Sequence, residues 1–196
     1  SLDQWAEHKL SDLPGKWSIK MNLLNSDQDW SYQADQQMTA ASLIKLPVVA
    51  SFYQQIEEGE YDLDEIYVLK ESDKVNGSGR LINEPNGTEI SWQRILKLAF
   101  SNSDNTAYNI LLDELGQSVV EDNMEDWGMT QTNIDENLTT ANDISLFFKM
   151  LYNGDLVNQK HQQMMIEDLT NTIYEDQIPA GVPEGISVAH KVGFEK

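Results

Sequence analysis

Between Leu43 and Ile56 the sequence is apolar nearly all the way round a helix, through Leu43, Leu46, Val48, Val49, Ala50, Phe52, Tyr53 and Ile56. A surface helix carries one apolar stripe, whereas a helix apolar on every side must be covered on every side. This segment therefore predicts a helix buried between layers. With 196 residues and 40% hydrophobic content, the chain is long enough to supply those layers as one domain or two interleaved subdomains.

Two polar residues stand at the start of that helix. Ser42 and Lys45 are three positions apart, a spacing that places both on one helical face. A serine alcohol is a weak nucleophile until a base takes its proton, and a lysine beside it in a dry site has its pKa lowered toward that task. Serine opening a helix also reads as a plain N-cap, and Ser-x-x-Lys is a short motif. A surface cap, however, does not require a helix apolar all round.

Two further segments carry chemistry. Ser103-Asp104-Asn105 falls between helical patterns at about Trp92–Phe100 and Thr106–Leu115, the second closed by Gly116, so it sits on a short interhelical loop. Asp104 and Asn105 are equally ordinary capping residues. Ile186 to Gly193 has β-branched residues at alternating positions and reads as a strand carrying Lys191. A solvated lysine on an edge strand is the bland alternative for that position.

In order, Ser42-x-x-Lys45, Ser103-Asp104-Asn105 and Lys191-x-Gly193 resemble the three-motif signature of the penicillin-recognising serine hydrolases, the class A β-lactamases and penicillin-binding proteins. The likeness extends through Gly79-Arg80-Leu81, Pro85 to Ser91, Ser103 to Gly116, and Ile178 to Gly185, which together cover most of the chain. It implies an α/β fold: a β-lactamase-like sandwich of an antiparallel sheet with helices and an inserted all-helical subdomain. It also implies roles. Ser42 attacks a β-lactam or a peptidoglycan stem-peptide carbonyl, and Lys45 takes its proton. Ser103 relays a proton to the departing nitrogen, and Lys191 holds Ser103 and the substrate carboxylate. Asn105 bonds the substrate's amide side chain, while the backbone N–H groups of Ser42 and of Phe194, after Gly193, meet the oxyanion.

The departures bear on turnover. Class A β-lactamases carry a loop glutamate that drives the water hydrolysing the acyl-enzyme. Here too little chain lies ahead of the helix announced by Thr140 and Asp143, which read as a capping box. Asp135 and Glu136 are the only nearby acids, and both suit the positive end of that helix. Glu136 remains a weak candidate for the deacylating base. Val192 replaces the family's threonine or serine and removes one hydroxyl from the carboxylate site. The expectation is competent acylation with slow deacylation; the alternative is a non-hydrolytic penicillin-binding, sensor or peptide-binding module.

The organisation follows: residues 1–40 form an N-terminal helix near Leu2–Leu10 and two sheet strands, 41–178 a mainly helical subdomain with the nucleophile helix, and 179–196 the return to the sheet. The resemblance places further strands and a helix after Lys191, so the expectation is a chain truncated at its C-terminus, with an exposed sheet edge open to self-association. Thirteen basic against thirty-three acidic residues give a net charge of −20, which opposes nucleic acid and anionic membranes as partners. No run of eighteen apolar residues spans a membrane, and no signal or anchor is visible. His8, His161 and His190 are too scattered for a metal centre, and with no cysteine present neither metal nor cofactor is expected. The resemblance makes the bacterial envelope or exterior the expected location.

Overall fold

The computed structural model describes residues 1–26 and 28–194, so the last two positions of the 179–196 segment lie outside it. Helix α1 (Leu2–Leu10) occupies its predicted interval, opened by a capping box between Ser1 and Gln4. Strands β1 (Ile19–Asn22) and β2 (Asp29–Tyr32) pair antiparallel, with Ile19 opposite Tyr32 and Asn22 opposite Asp29. Next come β3 (Met38–Thr39) and α2 (Lys45–Glu58), followed by β4 (Ile66–Val68) and β5 (Glu89–Ser91). Four helices continue the chain, α3 (Trp92–Ser101), α4 (Asn105–Leu115), α5 (Gln117–Asp126) and, after β6 (Leu138–Thr139), α6 (Ala141–Asn153). Helix α7 (Gln159–Thr170) completes the described set. β3 pairs with β6 and β4 with β5, so the sheet content is three two-stranded antiparallel pieces. The architecture is the expected α/β one.

Helix α2 lies at the centre, against α3, α4 and α5, and every residue from Lys45 to Tyr53 is buried. Fully burying one of its large apolar side chains stabilises the fold by about 1.5–3 kcal/mol, which sets α2 as the post around which the other helices stand. Gly59 closes it in the left-handed conformation, at φ 85°. The β1–β2 hairpin packs on α6 and α1.

Three local expectations are revised. Ser42 lies in a 3₁₀ turn (Ala41–Ile44) that precedes α2 rather than in the α-helix itself. Ala41, at φ 47°, turns the chain into it. Thr140 caps α6 by accepting from the Asp143 N–H at 3.2 Å, but the expected reciprocal bond is absent: the buried Asp143 carboxylate accepts instead from Gln131 N at 2.9 Å and Thr132 Oγ1 at 2.8 Å. The reciprocal partner in a capping box is Glu or Gln, one methylene longer. Last, residues 186–194 run without a ladder partner among the described residues, so the strand expected to carry Lys191 is an irregular segment, tied to α7 by the His190 N–H bonding Leu169 O at 3.0 Å. Alternating β-branched residues favour extension, but a strand exists only where a neighbour completes its hydrogen bonds.

Candidate active site

The 3₁₀ turn sets the first pair. With three residues per turn, side chains at i and i+3 eclipse, and Lys45 Nζ donates to Ser42 Oγ at 2.8 Å. Lys45 is 3% exposed, an ammonium position that water barely reaches. Burial lowers its pKa from 10.5 to about 8, opposed by the charge of Asp104. The amine therefore gives up its proton far more readily than a surface lysine.

A second amine–hydroxyl pair faces the same cleft. Lys191 Nζ donates to Ser103 Oγ at 2.7 Å and to its neighbour's carbonyl, Val192 O, at 3.1 Å. Its pKa is pulled down to about 7, first by burial and then by repulsion from Lys45. Ser103 is held at φ 53°, a left-handed conformation uncommon for a residue with a side chain. The surrounding loop enforces it. Asp104, 1% exposed, caps α4 through Ala107 N at 3.1 Å and also accepts from Arg80 N at 2.7 Å and Leu81 N at 3.0 Å. Three backbone donors make its carboxylate an anchor and leave it tied into the loop.

Asn105 joins the two halves. Its Oδ1 accepts from Lys45 Nζ at 2.8 Å, and its Nδ2 donates to Asn76 O at 2.9 Å, leaving one amide hydrogen for a ligand. Gly193 lies so close to the 3₁₀ turn that an added Cβ would stand 2.8 Å from Ala40 O and 3.1 Å from Ser42 N. That approach sets the chain leading to Phe194 beside the Ser42 N–H. Ser42, Lys45, Ser103, Asn105, Val192 and Phe194 all line one open cleft of about 860 Å³, and Lys191 reaches it through Ser103.

The structure thus brings together Ser42, Lys45, Ser103, Asn105, Lys191, Gly193 and Phe194, and sets Glu136 apart. Glu136 is exposed, its backbone N–H bonds Asn133 Oδ1 at 2.8 Å, and it does not line the cleft. Neighbouring Asp135 accepts from Gln117 Nε2 on α5 at 2.9 Å, rather than meeting the start of α6.

Sequence reasoning missed three contributors. Ser78 donates to Ser103 O at 2.6 Å and lies 3.3 Å from Asn105 Oδ1. The Tyr108 ring stands 5.6 Å from Lys45 Nζ, and Asn137 lines the Ser42 cleft from the loop before α6. For Ser78 the signal was present in its flanking glycines. Gly77 and Gly79 sit at φ 122° and 105°, and a Cβ on either would run into Asn105 or Asp104 at 2.2–2.3 Å. The loop can press on the Ser103 turn only without those side chains.

Comparison with known proteins bears on the family and the fold. The profile of the beta-lactamase enzyme family matches residues 3–196. Among solved structures, a beta-lactamase from Sphaerobacter thermophilus is 30% identical, with a TM-score of 0.82 over 86% of this chain and 68% of that one. PBP-A is 24% identical, with a TM-score of 0.91 over 98% of this chain and 76% of that one. A beta-lactamase from Chitinophaga pinensis is 18% identical, at 0.91 over 97% and 77%. No curated protein sequence matches at a significant level. With the family profile spanning nearly its whole length, the chain belongs to the beta-lactamase enzyme family and is a serine hydrolase of the β-lactamase type.

Proposed function

We propose that Ser42 is the nucleophile of an acyl-transfer reaction on β-lactams or on peptidoglycan stem peptides, and that the resulting acyl-enzyme is hydrolysed slowly. The observation that carries this reading is the 2.8 Å bond between Ser42 Oγ and the nearly buried amine of Lys45. Neutral Lys45 takes the Ser42 proton as Oγ bonds the carbonyl carbon. The negative charge that collects on the carbonyl oxygen is met by the N–H groups of Ser42 and Phe194. As the C–N bond breaks, the proton taken up by Lys45 passes through the Ser103 hydroxyl to the departing nitrogen, so that Lys45 returns to its neutral form, while Lys191 keeps its charge and holds Ser103 across their 2.7 Å contact. Lys191 supplies the positive charge that holds a substrate carboxylate, with Val192 adding no hydroxyl.

Slow release follows from the placement of the acids. Glu136 is exposed away from the cleft, and Asp104 is occupied by three backbone N–H groups. Neither carboxylate is free to take a proton from a water attacking the ester. This arrangement favours a penicillin-binding protein or slow peptidase over an efficient β-lactamase, and its substrates place its work in the bacterial envelope or outside the cell. A single-turnover time course of intact mass after mixing with benzylpenicillin tests it. The expected result is one adduct per chain that persists for many minutes; an adduct that disappears within seconds as product accumulates would overturn slow deacylation.

A further inference from the structure

Asn137 is a polar side chain in the cleft wall that the proposed chemistry leaves unused. Its backbone is locked to the nucleophile turn: Ala40 N donates to Asn137 O at 2.8 Å, two residues before Ser42, and Asn137 N donates to Ile134 O at 3.2 Å. It adopts φ 52°, a left-handed conformation that asparagine tolerates better than most residues. Its Oδ1 is buried and has no hydrogen-bond partner among the described residues. Buried polar groups are nearly always paired, so this oxygen gains its missing partner when the partly exposed Asn137 side chain turns into the cleft and meets a ligand group there. Glu136, one position earlier, faces outward, so the loop offers the cleft a carboxamide and no carboxylate.

The surroundings define what this carboxamide meets. Ile134, Val75 and Tyr108 line the same cleft and supply apolar wall around a polar point. We infer that Asn137 is a specificity-determining residue that pairs with the amide of the substrate's acyl side chain, while Ile134, Val75 and Tyr108 hold the apolar group that amide carries. The preferred acyl donors are then N-acylated ones with an apolar or aromatic substituent. Asn105 holds its own place through Lys45 and Asn76, and Asn137 adds a second amide contact on the loop side. This inference rests on Ser42 being the acylated residue.

The test compares acylation rate constants for benzylpenicillin, which carries an arylacetamido side chain, and 6-aminopenicillanic acid, which carries a bare amine. Both are measured in the unmodified protein and in Asn137→Gly, in which glycine keeps the left-handed conformation without strain. The expected result is about a tenfold fall in the ratio of the two rate constants in Asn137→Gly. Asn137→Ser, which retains a smaller hydrogen-bonding group, is expected to fall between the two. An unchanged ratio in both variants, or an equal change in the lifetime of both acyl-enzymes without change in the ratio, overturns the inference and leaves the proposed function standing. Failure of the unmodified protein to be acylated by either compound overturns the proposed function, and the inference with it.

Discussion

The two lysines of the site make acylation a bell-shaped function of pH. Lys45 must be neutral to take the Ser42 proton and Lys191 charged to hold a carboxylate, so the working form is one of the two arrangements of a pair carrying a single proton, and the lesser one, because Lys45 keeps its proton to the higher pH; its share of the one-proton pair does not change with pH. Burial brings Lys45 to about 8 against the pull of Asp104, and burial together with repulsion from Lys45 brings Lys191 to about 7. Because the two amines influence one another, the steps belong to the pair rather than to either residue. With steps at about 7 and 8, about 60% of molecules carry one proton at pH 7.5, against about 3% at pH 5.5 or 9.5. The acylation rate should therefore fall about 20-fold on each side of the optimum. Two lysines left at 10.5 would put only about 0.2% of molecules in that form at pH 7.5. The assay is the second-order rate of acylation by a chromogenic cephalosporin across this range, in the unmodified protein and in Lys191→Met. The variant is expected to react more slowly and to lose the falling limb. A profile flat over the whole range, or one still rising at pH 10, would refute the assignment of these amines.

Three other perturbations have defined outcomes. Gly193→Ala puts a methyl group 2.8 Å from Ala40 O and 3.1 Å from Ser42 N, so the backbone must give way, and the change should cost more than about tenfold in acylation rate and lower the melting temperature as well, as measured by stopped-flow and calorimetry. Val192→Thr adds a hydroxyl at the carboxylate site; a bond to a charged partner contributes about 1.5–3 kcal/mol, so acylation by carboxylate-bearing β-lactams should rise about tenfold or more at limiting substrate. Burial raises the Asp168 pKa from 3.8 to about 6 despite Lys97 at 3.6 Å, so the folded state disfavours the ionised carboxylate and loses stability as pH climbs from about 4 to 6. Asp168→Asn should accordingly melt higher than the unmodified protein at pH 7.5 and show no such gain at pH 4.

What the sequence made legible was whatever local pattern controls. The apolar circumference of α2 predicted its burial, and Thr140 marked the start of α6. The chemical motifs were readable because each lies within a few consecutive residues. The misses depend on partners distant in the chain. Ser78 meets Ser103 across 25 positions, and the Asp143 carboxylate turns to Gln131 and Thr132 rather than to its own cap. The 3₁₀ turn at Ser42 follows from the left-handed backbone at Ala41, a residue whose identity does not announce it. Asn137 was passed over beside Glu136 because an acid is the more obvious reactive group, yet backbone conformation decides which neighbour lines the cleft.

The central claim is that Ser42 is the residue acylated, and peptide mapping of the protein trapped with benzylpenicillin tests it most directly. The adduct is expected on the peptide containing Ser42 and on no other, and Ser42→Ala should melt as a folded protein while forming none. An adduct located elsewhere, or one that persists undiminished in Ser42→Ala, would contradict the account.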